Sequence, residues 1–268
     1  AKLNAGQTVK LSKAVYRSIM GLHLENKVTD IKNIGYCFAL FFFSFTASAQ
    51  SLRIGFIDYP PHISFDVALE KNPLYQYINS VLLPLGFDIE YVKLPRERAS
   101  IELIRGRLDM LLPTSIENQT LKTLALPIFH SVPGLCFKKE NFIPILSASH
   151  RFDDLTIGVP YGSALVLTLS HSSANIIELK GENAISRGIE MIQRGRFDAF
   201  YHPSPITVYH RKNPLYKEVA CSYFHGYSTP IYIAVTETMP EEIFNLINNA
   251  YQKAIVKKSY EYYFASRK

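Results

Sequence analysis

Tryptophan is absent from this chain of 268 residues, although 17 Tyr and 17 Phe are present, so any flat aromatic wall must come from those two residue types. Cysteine is scarce, with only Cys37, Cys136 and Cys221. No C-x-x-C pair occurs, and the eight His show no H-E-x-x-H spacing, which leaves no motif for a zinc site. The P-loop, the G-x-G-x-x-G turn and the G-x-S-x-G elbow are missing too. That removes the usual phosphate cradle, dinucleotide turn and serine nucleophile. No cofactor, metal or catalytic residue is expected. A concentrated positive face is also lacking. The formal charge is +6, but residues 1–49 hold six Lys/Arg against two Asp/Glu. Residues 50–268 carry 23 Lys/Arg against 21 Asp/Glu, a net of +2, which is no footprint for nucleic acid.

What is present begins with a leader. Lys27 and Lys32 precede an unbroken apolar or small stretch from Ile34 to Ala47, followed by Ala47-Ser48-Ala49 and Gln50. A positive flank, a short apolar core and an A-x-A site form a secretory signal peptide, with cleavage expected near Ala49. The stretch falls short of the ~20 residues a membrane span requires. Cys37 lacks the small preceding residue of a lipoprotein box. Residues 1–31 read as an extension foreign to the fold. Export implies an oxidising compartment, where Cys136 and Cys221 could form one bridge. Sequence alone does not show that they meet, and two buried, inert thiols are the expected state.

One segment occurs twice, 89 residues apart: RASIELIRGRLD from Arg98 to Asp109, and RGIEMIQRGRFD from Arg187 to Asp198. Each reads as an amphipathic helix closed by a left-handed glycine and running directly into an apolar strand. That is the αβ unit of a mainly parallel sheet. Seen twice, it predicts an α/β fold of two similar lobes with a ligand crevice between them. Asp109 and Asp198, at the helix-to-strand junctions, are read as turn stabilisers and not as an acid/base pair.

Along the chain, strands are expected at Leu52–Asp58, Phe87–Leu94 and from Leu108, with a helix over Asn72–Leu85. Residues 124–150 read as an extended crossing into the second lobe. There, strands at Asp154–Val159, Asn175–Leu179 and Phe197–Tyr201 repeat the pattern, with a helix after Tyr161-Gly162-Ser163. Val219–Val235 reads as a strand broken at His225-Gly226, and a terminal helix follows Pro240. The expected division is 1–49 leader, 50–130 lobe one completed by 226–268, and 131–225 lobe two, joined by crossing hinge strands.

Tyr59-Pro60-Pro61 after the first strand, the two Gly-Arg-x-Asp units, Val159-Pro160-Tyr161-Gly162-Ser163 and Ser204-Pro205 together resemble the bacterial extracellular solute-binding proteins of family 3, the polar-amino-acid type. The resemblance spans roughly residues 51–265. It implies a hinged, type II periplasmic binding fold that serves an inner-membrane ABC permease or a sensor. Two departures stand out. The arginine that grips an α-carboxylate in such members is replaced here by Asn118, with Lys122 the only nearby cation. The aspartate that holds the ammonium is replaced by Pro203. An amide does not restore a guanidinium fork, so a standard α-amino acid is not the expected ligand.

Candidate ligand contacts follow from position. Tyr59 and Phe65 could form the aromatic wall. Thr114 and Ser115 end a lobe-one strand, with Asn118 beyond them. Tyr161, Gly162 and Ser163 could receive an anion at a helix N-terminus, or Ser163 could simply cap that helix. Tyr201, His202 and Ser204 end the matching strand of lobe two, and Arg98 could supply the missing positive charge. The expected protein is a periplasmic, monomeric solute-binding protein that closes on a small polar or anionic molecule. Two alternatives stay open. One is an enzyme on the same scaffold, like cyclohexadienyl dehydratase, using Glu117 and His202. The other is a partner-binding module with a degenerate cleft.

Overall fold

The structure, a computed structural model, describes residues 51–115, 121–144, 146, 152–205 and 214–265. The leader, Asn118 and Glu117 lie outside the described residues. Lobe one is built on a five-stranded sheet in the order β2-β1-β3-β10-β4. Its strands are β1 Ser51–Phe56, β2 Asp88–Lys93, β3 Met110–Thr114, β4 Phe129–Ser131 and β10 Thr229–Val235. Lobe two repeats the plan as β7-β6-β8-β5-β9. It comprises β5 Gly134–Lys138, β6 Thr156–Pro160, β7 Asn175–Leu179, β8 Ala199–His202 and β9 Val219–Tyr223. In each sheet the first three strands pair parallel, and the strands that cross between lobes add antiparallel pairings.

Helices cover the sheets where the apolar pattern predicts them. α1, Pro73–Leu82, buries Leu74, Tyr77, Ile78 and Val81 and ends through a 3-10 turn at Gly86, whose φ is 82°. α2, Arg96–Ile104, and α4, Ala184–Gln193, are the repeated helices, with the short α3, Leu167–Ser170, between them. Both repeated helices close by the same Schellman motif. Gly106 N–H donates to Leu103 O and Arg107 N–H to Glu102 O; Gly195 donates to Ile192 and Arg196 to Met191 in the same way. The glycines take φ of 67° and 68°, the left-handed region where a Cβ is strained.

The repeat is also a clasp. Asp109 Oδ2 accepts the Arg53 N–H at 2.7 Å, and the Asp109 N–H donates back to Arg53 O. Asp198 Oδ2 accepts the Thr156 N–H at 2.8 Å and returns a bond to Thr156 O. Each aspartate thus ties its helix-to-strand corner to the neighbouring strand, β1 or β6.

The chain ends in α5, Glu241–Lys257, with Glu241 and Glu242 in its first turn and Lys257 in its last, as the helix dipole favours. α6, Tyr260–Ala265, follows. Its ring of Tyr260 packs on Phe129 and Tyr77 in lobe one. This second terminal helix is not evident from the sequence pattern, because six residues are too few to show a period.

Cys136 and Cys221 form a disulfide, contrary to the expected free thiols. The reason is register. The two face each other directly in the β5–β9 pairing, 85 residues apart in sequence, and neither fact can be read from cysteine spacing. Among the described residues no helix is long and apolar enough to cross a membrane.

Candidate functional site

The ends of β1, β3 and β4 in lobe one face the ends of β6 and β8 in lobe two across a narrow cleft. Tyr59, Arg96, Ser115 and Ser131 line it from one side. Ser163, Ala164, Tyr201 and Pro203 line it from the other. The free space between them is about 40 Å³, room for only a few water molecules. The two lobes lie close together here, and this cleft leaves no room for a larger solute.

Hydrogen bonds hold the closed arrangement. Tyr59 Oη donates to Ser131 Oγ at 2.9 Å, and Ser131 Oγ donates to Pro203 O at 2.6 Å. His62 Nε2 lies 3.0 Å from Ser204 Oγ. Farther along the seam, Ser186 Oγ donates to Asp66 Oδ2 at 2.6 Å.

Arg96 is the cationic group of this cleft. It opens α2 directly after Pro95, which supplies the N-cap geometry, so its side chain leaves the helix end towards lobe two. A Cβ placed on Gly162 would meet Arg96 Cδ at 3.4 Å, which shows how closely the Tyr161-Gly162-Ser163 turn approaches it. Among the described residues the Arg96 guanidinium makes no hydrogen bond or ion pair. Burial lowers its pKa, opposed by Tyr59 and Glu97. Across from it, Ser163 Oγ is buried with no hydrogen-bond partner among the described residues. The cleft thus holds a guanidinium with unused donors and a buried hydroxyl without a partner among the described residues.

The remaining candidates divide. Tyr59, Ser115, Ser163 and Tyr201 come together at the cleft. Phe65 and Tyr161 line an adjoining seam that shares Arg96, each with a lysine ammonium over its ring: Lys93 at 5.2 Å and Lys180 at 4.6 Å. Tyr201 Oη also donates to Ala164 O.

Four candidates lie apart from this cleft. Arg98 points to solvent, its side chain 69% exposed beside Glu102 at 3.7 Å. Thr114 is buried and donates back to Leu111 O of its own strand. His202 lies in the lobe-two interior, accepting the Ser204 N–H on Nδ1 and contacting Tyr216 Oη through Nε2. Ser204 faces a different, open cavity of about 550 Å³ beside His62 and Phe129. A helix terminus at Ser163 is likewise absent. Its N–H donates to Pro160 O in a turn, and the four-residue α3 begins only at Leu167, with Val166 as cap.

Arg96 and Asp58 are the residues that sequence reasoning missed. The signal for Arg96 was Pro95, since proline favours the entry to a helix and moves its start ahead of Arg98. Asp58, two residues beyond β1, has Oδ1 bonded to the Phe65 N–H at 3.0 Å, whereas Oδ2 is buried without a partner among the described residues. Burial pushes its carboxyl up to about 7. Among the described residues no cluster of His, Cys, Asp and Glu is arranged to hold a metal.

This architecture is that of the type II periplasmic binding proteins. A substrate-binding protein of an amino acid ABC transporter superposes with a TM-score of 0.64 at 19% identity, covering 80% of this chain and 97% of its own. The GluR0 ligand-binding core in complex with L-glutamate gives 0.67 at 19%, covering 81% and 97%. The ancestral amino acid-binding protein AncCDT-1, a precursor of cyclohexadienyl dehydratase, gives 0.66 at 20%, covering 82% and 96%. No protein-family model and no curated protein sequence matches the chain.

Proposed function

We propose that the protein is a periplasmic solute-binding protein, without catalytic activity, that closes two lobes on a small acid and presents the closed form to an ABC permease or a sensor. The observation that carries this reading is Arg96, a guanidinium in the interlobe cleft with no partner among the described residues, facing the equally unpartnered Ser163 Oγ. The neighbouring folds include amino acid-binding proteins of ABC transporters. Unlike an amino-acid clamp, however, the described lining of this cleft contains no carboxylate, and Pro203 stands on the lobe-two side. The ligand class favoured is a carboxylate without an α-amine. The shared scaffold keeps a dehydratase in view, but His202 is turned away from the cleft.

The test is a thermal-shift and calorimetric screen against mono- and dicarboxylates, amino acids, polyamines and sugars. A ligand at 100 times its Kd stabilises by about 2.7 kcal/mol. Arg96→Gln is expected to weaken the hit about a hundredfold, because it removes the charge and the paired donors. Equal binding by Arg96→Gln, or a preference for ordinary α-amino acids, overturns the assignment. The small free volume supports a second reading, a partner-binding module whose cleft its own side chains have filled. Silence across the whole screen selects it.

A further inference from the structure

The seam beside the ligand cleft holds a group that the solute-binding reading does not use. Asp58 lies two residues beyond β1 and lines this seam together with Pro160, Tyr161, Gly181, Glu182, Ala184 and Ile185 of lobe two. Its Oδ2 has neither solvent nor a hydrogen-bond partner among the described residues. The charges around it do not compensate. From lobe one it faces Asp66, Lys93, Arg96 and Glu97, and from lobe two Glu182, with the Lys180 ammonium drawn aside over the Tyr161 ring. Lys93 is likewise seated over Phe65, and Asp66 is already bonded to Ser186 across the seam. An ionised carboxylate in that position is desolvated beside two like charges, which is costly. A protonated one is neutral, and its O–H needs only a neighbouring acceptor.

We propose that closure of the two lobes is coupled to uptake of a proton by Asp58, so that acidification favours the closed form. The inference rests on the reading that the lobes open and close about the crossing strands. Its sign follows from the two states. With the lobes closed, burial first, then Asp66 and Glu182, raise the carboxyl to about 7, against the opposing Phe65 N–H and Lys93. With the lobes apart, Oδ2 regains water and Glu182 withdraws, returning the group towards its ordinary value of 3.8. Between those values the closed form holds a proton that the open form does not. The closed-to-open ratio therefore falls about tenfold per pH unit as pH rises from about 5 to about 7, and levels off above that.

Small-angle scattering of the whole chain without added solute, from pH 5 to pH 8.5, reads this directly. The radius of gyration is expected to grow with pH in the wild type and to stay small throughout in Asp58→Asn, which is neutral at every pH. Should that variant fold poorly, Glu182→Gln, at an exposed position, is expected to shrink the expansion. Identical pH profiles for wild type and Asp58→Asn overturn the inference, because they assign the response to the histidines or to net charge. Compaction by succinate at fixed pH, with no response to pH, also overturns it and leaves the solute-binding reading standing. A radius indifferent to both pH and succinate removes both.

Discussion

In lobe one, Gly55 of β1 lies beneath Leu108; in lobe two, Gly158 of β6 lies beneath the ring of Phe197. The two apolar residues are the matching positions of the repeated Gly-Arg-x-Asp unit, and the two glycines make space for them. A Cβ on Gly55 would meet Leu108 Cδ1 at 2.6 Å, the movable end of a flexible side chain. One on Gly158 would lie 2.2 Å from the edge of a rigid ring. The corner is thus built twice to one plan, with different tolerance. The lobes also differ in what secures them. Lobe one packs a broad cluster in which Tyr77, Tyr251 and Tyr260 meet under the terminal helices. Among the described residues lobe two has no such aromatic cover. Its buried residues fall into two smaller clusters on either face of the sheet, and the disulfide joins its β5 and β9 edge. Where fewer apolar side chains are buried, a covalent link supplies stability that packing does not.

The comparison can be broken most severely at the disulfide. Replacing both Cys136 and Cys221 with Ala is expected to cost about 4 kcal/mol, since the bridge closes a long loop. Hydrogen exchange should rise through lobe two while β1 to β3 keep their protection. Equal loosening of both lobes would show that the disulfide supports the whole molecule. Next in size, Gly158→Ala is expected to cost about 3 kcal/mol by overpacking against Phe197, and Gly55→Ala only about 1 kcal/mol as Leu108 yields. Chemical denaturation of the two variants side by side measures that asymmetry, and a reversed order would contradict it.

The aspartate clasp sharpens the likeness. Asp109→Ala and Asp198→Ala each remove a charge-assisted bond to a backbone N–H and should each destabilise by about 1.5 kcal/mol. A large difference between them would mean the two corners are not energetically equivalent. The smallest effect is expected at Arg98→Ala, within about 0.5 kcal/mol for an exposed i,i+4 pair. It should leave solute binding unchanged, where Arg96→Gln does not.

That last contrast marks where the sequence stopped being legible. The repeat announced both lobes because a Schellman glycine followed by an apolar strand is a local signature, complete within a dozen residues. Arg98 was a natural choice because the repeat begins with it. Starting the helix at Arg96 turns residues two apart by about 200°, so the arginine that reaches the cleft is the one outside the repeat. Ser163 shows the same limit. Glycine and serine after a strand suggest a helix entry, but the chain makes a turn first and delays the helix to Leu167. The disulfide and the Asp58 seam depend on strand register and on the approach of two lobes. Both are distant pairings that no single segment records.

The order of strands in lobe one has a consequence for how the molecule comes into being. β10 lies between β3 and β4, so the sheet that begins at Ser51 is interrupted until Thr229–Val235 has been made. Lobe two, by contrast, is contiguous from Gly134 to Tyr223 and can assemble on its own as the chain emerges. The first three strands pair with one another, but the free edge of β3 and the partner of β4 must wait for the last-made strand. A chain cut short before Thr229 should leave lobe two intact beside an unpaired, aggregation-prone edge.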